Sequence, residues 1–283
     1  MKSLRVAGVP EHFNLPWHLA DEEGAFESAG IDLQWIDVPE GTGKMCQMLR
    51  EDETDMAVIL TEGIIKDICD GNPSSIVQTY VESPLSWGIH VGSQSNLKNS
   101  NELENATVAI SRKGSGSHLM AIVHAQSKGW DTNKMSFEII NNLDGAVSKL
   151  PQDANLYFMW ERFMTKPLVD KGIFKHLGDF PTPWPCFVIA VRSSFLAENK
   201  AAVKHVLSTI NRFTQEFKSI PSIDRTLANR YEQQLDDIRI WLRQTTWSQK
   251  QLSMNSVAKV QQALLDLKLI SAEKPYSEIV TNL

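Results

Sequence analysis

Short apolar runs, each ending in a turn and then a helical stretch, recur along the first two-thirds of the chain. This alternation constrains the fold more than any other feature. Residues 4–9, 31–38, 55–60 and 75–81 are β-prone runs, and helical spacing follows the first three, over 14–28, from 41 onward and over 64–69. Residues 87–92 form another apolar strand, after which the pattern restarts at 106–111, 135–140, 155–160, 173–178 and 186–191. Such alternation predicts an α/β fold with parallel sheets covered by helices on both faces. Two blocks are present, roughly 4–88 and 93–183, each short for a complete doubly wound domain. Beyond them, 194–218, 222–243 and 248–267 read as three helices, the third opened by the capping box Ser248-Gln249-Lys250-Gln251. Glycine is absent from this return, so it is expected to serve as scaffold.

Candidate functional residues lie where strands end and helices begin. In Ser111-Arg112-Lys113-Gly114-Ser115-Gly116-Ser117-His118, a strand, a glycine-serine turn and a helix follow one another. That layout aims free N–H groups and a helix dipole at an anion. Ser115, Gly116 and Ser117 are the expected contacts; Arg112 is either an anion partner or a surface charge, and His118 either a donor or a packed residue. The plainer alternative for the whole stretch is an ordinary capped turn. Thr42, Gly43 and Lys44 repeat the same logic at another helix start, without the GxxxxGK[ST] pattern of a phosphate-binding loop. After 55–60 come Thr61 and Glu62, the latter either a partner for a ligand amine or an acid favoured by the first helical turn. His12 and Phe13 can stack a planar ligand or pack against a helix. Ser83 flanks a proline turn, Asn142 starts a helix, and Trp160 beside Glu161 sets a flat wall next to a carboxylate.

Composition excludes several classes. The chain has 283 residues, 42% of them hydrophobic and 22% charged, with a formal net charge of −6 and no basic block. That balance argues against a dedicated nucleic-acid binder. The three cysteines, Cys46, Cys69 and Cys186, are too scattered for a disulfide framework or a metal motif, so neither metal nor cofactor is expected. No run reaches membrane-spanning length. Met1-Lys2-Ser3 leads directly into the first strand with no apolar leader, so a cytoplasmic location is expected if Met1 is the natural start.

In segment order the chain resembles the type 2 periplasmic binding protein fold, in particular its sulfonate-binding and thiamine-pyrimidine-precursor-binding branch. It is most similar to the members that lack a signal peptide. Gly8-Val-Pro-Glu-His-Phe-Asn14, Gly41-Thr-Gly-Lys44, Thr61-Glu-Gly63, Ser111–His118 and Ala154-Asn-Leu-Tyr-Phe-Met-Trp160-Glu161 carry the likeness. The resemblance implies a two-lobed α/β clamshell with a helical C-terminal return. Lobe 1 would comprise 1–88 and 187–283, lobe 2 would comprise 93–183, and hinges would lie near 88–92 and 183–187. It implies a small-molecule ligand with an anionic or strongly accepting group, gripped in the interlobe cleft, with no nucleic acid, no membrane insertion and no assignable transporter or signalling partner. Two alternatives stay open: an enzyme like the one that makes the thiamine pyrimidine, and an intracellular ligand sensor. The enzyme's cysteine-rich signature is absent here, and no complete catalytic motif is present.

Overall fold

A computed structural model describes residues 1–283, which separate into two compact units, Met1–Ser83 with Trp184–Leu283 (unit 1) and Pro84–Pro183 (unit 2). In unit 1 the chain runs β1 (Lys2–Gly8), α1 (Leu15–Glu22), α2 (Ala25–Ser28), β2 (Ile31–Asp37), α3 (Thr42–Arg50), β3 (Met56–Leu60), α4 (Thr61–Cys69) and β4 (Ser74–Val81). Unit 2 contains β5 (Ser86–Gly92), β6 (Thr107–Ile110), α5 (Gly116–Ser127), β7 (Ser136–Ile139), α6 (Leu143–Lys149), β8 (Leu156–Glu161), α7 (Arg162–Asp170) and β9 (Phe174–Pro181). The return to unit 1 adds β10 (Phe187–Arg192), α8 (Ser193–Glu216), α9 (Ile223–Arg230), α10 (Leu235–Gln244), α11 (Met254–Asp266) and α12 (Tyr276–Ile279).

The two sheets share one plan. Unit 1 orders its strands β2-β1-β3-β10-β4, and unit 2 orders its strands β7-β6-β8-β5-β9. β1 lies parallel to β2 and β3, as β6 does to β7 and β8. The strand that enters each sheet after a crossing, β5 or β10, runs antiparallel to both neighbours. Both sheets are therefore mixed, a correction to the all-parallel expectation. Phe187 to Val191 of β10 are all buried, the continuous apolar run of a strand covered on both faces. In unit 2, Ala109, Ile140, Ala146, Leu150, Leu156, Phe158 and Phe174 form a core. Where β9 bulges between Ile89↔Gly178 and His90↔His176, Gly178 takes φ 147°, which a side chain would resist.

Several boundaries differ from the sequence reading. The first crossing falls at Ser83/Pro84, not within 88–92, because those residues are hydrogen-bonded into β5. The second falls at Pro183/Trp184. The helix expected over 14–28 breaks at Gly24, at φ 66°. Asn14 does not cap it; its Nδ2 donates instead to the Val9 carbonyl at 2.8 Å. The helix expected over 222–243 is split into α9 and α10 at Glu232, which has φ 52°.

The expected capping box at Ser248 is also absent, for a tertiary reason. Ser253 caps α11 by accepting from Ser256 N–H, while the segment before it runs along the outer edge of β4. Glu82 N–H donates to Thr246 O, Ser248 N–H to Tyr80 O and Thr79 N–H to Lys250 O, at 2.8 to 2.9 Å. Thr281 N–H reaches Ile76 O farther along the same strand. The helical return thus covers an edge that would otherwise offer unpaired backbone groups. No helix is long and apolar enough to cross a membrane.

Candidate functional site

In unit 2, the parallel strands β6, β7 and β8 deliver three helix starts to one edge of the sheet. Each start is capped by its own side chain. Ser115 Oγ accepts from His118 N–H, Asn142 Oδ1 from Gly145 N–H, and Glu161 Oε2 from Met164 N–H. Asn142 and Glu161 are thereby used as caps, and the Trp160 ring stacks on Phe158 at 5.2 Å against the core. The turn before α5 is held tightly. Ser117 Oγ accepts from Ser111 N–H at 3.0 Å and lies 3.3 Å from Ser111 Oγ and 3.0 Å from Ser115 Oγ, all three residues being buried.

Gly114 N–H donates to His118 Nδ1 at 3.0 Å, which leaves the proton of the neutral imidazole on Nε2. Burial first, then the nearby Lys113 charge, hold the His118 pKa below its usual value, so this neutral form is favoured. Gly116 and Ser117, the first residues of a twelve-residue helix, keep N–H groups with no intrahelical acceptor. Arg112 is half-buried beside them. The Ser111, Ser115 and Ser117 hydroxyls thus shape the turn that leads into α5.

In unit 1, β1 and β3 pair in parallel, so 11–14 and 61–63 emerge at the same sheet edge. His12 is fully buried, its ring 4.2 Å from that of Trp241, 5.0 Å from Phe13 and 5.9 Å from Tyr231. Both ring nitrogens of His12 are without a partner, as are Tyr231 Oη and Trp241 Nε1. Burial pushes the His12 pKa down to about 3, so the imidazole is neutral. Phe13 packs on Phe187 at 5.2 Å, and its carbonyl accepts from Tyr80 Oη and Trp247 Nε1. The return therefore carries more than scaffold, since Tyr231 and Trp241 complete an aromatic cluster with His12. No sequence pattern pointed to them, because an aromatic on the buried stripe of an amphipathic helix reads as core.

Other expected contacts are engaged inside unit 1. Thr61 Oγ1 donates to the Pro185 carbonyl at 2.6 Å, Ser83 Oγ accepts from Thr246 N–H, and Lys44 pairs with Glu53 at 3.0 Å near the surface. These bonds give the polar atoms of all three residues partners within unit 1. Thr42 and Gly43 open α3, and the Thr42 methyl occupies the space a side chain at Gly63 would need. Glu62 is fully buried in the first turn of α4. Its Oε2 accepts from Trp184 Nε1 at 2.8 Å, and Oε1 has no partner.

Comparison with known proteins matches this arrangement over its whole length. The Candida albicans CA3427 gene product, described as defining a family with the generic periplasmic binding protein fold, shares 25% identity with the chain. The match covers 100% of this chain and 98% of that one, with a TM-score of 0.90. The chain has the periplasmic binding protein fold. Residues 87–180 match the family model described as Ca3427-like PBP. The alkanesulfonate-binding protein SsuA from Xanthomonas axonopodis pv. citri, solved with MOPS, is similar at 18% identity, with coverage of 100% and 99% and a TM-score of 0.82. The aliphatic sulphonate binding protein SsuA of Escherichia coli is similar at 16% identity, with coverage of 100% and 94% and a TM-score of 0.75. No curated protein matches the sequence.

Proposed function

We propose that the chain is a reversible small-molecule binding protein whose ligand carries an oxyanion received by the N-terminus of α5. The observation that carries this reading is the whole-chain likeness to sulfonate-binding proteins, one of them solved with the sulfonate MOPS. The start of α5 supports it chemically. Unsatisfied N–H groups at Gly116 and Ser117 lie at the positive end of a helix dipole, in a turn locked by buried hydroxyls. Nothing in this arrangement requires bond-making chemistry.

The test removes one N–H without removing the helix. Proline is tolerated at the first helical position, and Ser115 already has the extended conformation (φ −75°, ψ 167°) that a following proline favours. Gly116→Pro is expected to keep the fold and to weaken binding of 1-propanesulfonate about tenfold, the scale of one charge-assisted hydrogen bond. Isothermal titration and the ligand-induced rise in Tm both read this. An unchanged affinity in a folded Gly116→Pro variant would remove α5 from the site.

A further inference from the structure

Unit 1 carries a groove between α8, β4 and the segment that follows α10, with a cavity volume of about 650 Å³. At its base, the side-chain amides of Gln78 on β4 and Asn211 on α8 exchange hydrogen bonds of 2.7 and 3.0 Å. Gln78 Nε2 also reaches the Ser248 carbonyl at 3.2 Å, which ties strand, helix and return together there. Gln249 and Gln251 line the groove from the return. Gln249 Nε2 donates to Thr214 Oγ1 at 3.2 Å, and Gln251 Nε2 to the Thr281 carbonyl at 3.0 Å. Each of these two amides keeps its oxygen and one N–H for a further partner.

The chain has a formal net charge of −6, yet the charged side chains lining this groove are two cations, Lys204 and Arg212. Both are exposed. Arg50, Arg192, Arg230 and Arg239 of the same unit each hold a carboxylate. Lys204 and Arg212 hold none, and the Arg212 guanidinium lies over the Phe213 ring at 5.3 Å. Leu283 also borders the groove, and its carboxylate pairs with neither cation. The eight-residue offset along α8 separates the two cations by about 12 Å of helix axis. One sulfonate or phosphate cannot meet both. An extended chain advances about 3.3 Å per residue with a side-chain period of two, so acids at positions i and i+4 share a face and span about 13 Å. Arg212 and Ser208 also border an adjoining hollow of about 310 Å³ against α2, so the track continues past the second cation.

We propose that this groove is a docking surface for an extended, acidic segment of a partner protein. Carboxylates of that segment meet Lys204 and Arg212, and its backbone amides pair with the fixed amides of Gln249 and Gln251. Charge complementarity selects an acidic partner. Amides that each offer a donor and an acceptor match the peptide unit, and select a polypeptide over a nucleic acid or a bare dicarboxylate. The surface lies wholly within unit 1 and stands independently of oxyanion binding at α5 in unit 2.

Fluorescence anisotropy with the full chain tests this, using fluorescein-labelled Glu-Thr-Val-Thr-Glu at low salt. The counterpart Gln-Thr-Val-Thr-Gln should bind about tenfold more weakly, the scale of two exposed ion pairs. Lys204→Gln and Arg212→Gln should each weaken the glutamate peptide about threefold and leave the glutamine peptide unchanged. Gln251→Leu should weaken both peptides. The exchanged side chains are exposed or half-buried, so the variants should keep the fold, which an unchanged Tm checks. Absence of binding, equal affinity for the two peptides, or an affinity that the Lys204→Gln, Arg212→Gln double variant leaves unchanged overturns the proposal. So does displacement of the glutamate peptide by equimolar sebacate, a dicarboxylate of similar span without N–H groups, or by single-stranded oligothymidylate. Either competitor would make the groove a general anion site.

Discussion

Two residues of unit 1 show how burial and partnership set the response of this fold to acid. Asp55 is nearly inaccessible and accepts from Arg5 N–H, from the Arg5 guanidinium and from Arg192. Burial alone would raise its pKa; the hydrogen bonds from Arg5 and Arg192 outweigh burial and hold it below the usual carboxylate value. A depressed carboxylate stabilises the fold above its unfolded pKa of about 3.9, and that stabilisation is lost as pH falls through the folded value. Asp55→Asn is therefore expected to cost about 3 kcal/mol at pH 7, by urea unfolding, and much less at pH 2, since it breaks a largely buried ion network. Equal losses at both pH values would contradict the electrostatic account. His12 acts in the same direction by a different route. Its folded pKa of about 3 lies below the unfolded value of about 6.5, so the unfolded chain takes up the proton first. Stability is full above pH 6.5 and falls between there and pH 3, with His90 and His124 adding to the slope. His12→Phe removes two buried unpartnered nitrogens and should flatten part of that slope; an unaltered profile would mean that His12 is solvated.

At the level of elements, what could be read from sequence was what local patterns decide. The strand runs and their order were legible because buried strands such as β10 and β3 are continuous apolar stretches. The start of α5 was legible because Ser115 caps locally, three residues from its partner. What escaped was decided by pairing across the chain. Ser248-x-x-Gln251 satisfies a capping pattern, yet the same residues lie along β4, where a sheet edge outcompetes one turn of helix. Thr61, Ser83 and Lys44 stand at strand ends and helix starts, and the Pro185 carbonyl, Thr246 N–H and Glu53 that meet their polar atoms are partners no local pattern names. Tyr231 and Trp241 carried no signal, since only folding brings them to His12. The corrected start of α11 makes a direct test. Ser253→Ala should lower stability by about 1 kcal/mol, the usual worth of a cap, in urea unfolding. Ser248→Ala removes only a weak 3.2 Å bond to Lys250 N–H and should cost less. The opposite ranking would restore the capping box.

Across the whole molecule, the two units differ in how the chain builds them. Unit 1 is made from two separated stretches, closed by β10 in the middle of its sheet and by the return along β4. Unit 2 is one uninterrupted stretch with its own five-stranded sheet and its own core around Phe158. A continuous segment with an independent core satisfies the conditions for folding alone. Residues 84–183 expressed as a fragment are therefore expected to show mixed helix and strand by circular dichroism and a single cooperative urea transition. Phe158 is inaccessible and central to that core, so Phe158→Ala should cost about 3–5 kcal/mol, enough to abolish the fragment's transition. In the full chain the same substitution should lower the first of two transitions and leave the second. That second transition is followed by the fluorescence of Trp17, Trp35, Trp184, Trp241 and Trp247, all in unit 1. If the fragment is unfolded in buffer, or if Phe158→Ala shifts both transitions equally, the halves fold as one cooperative body.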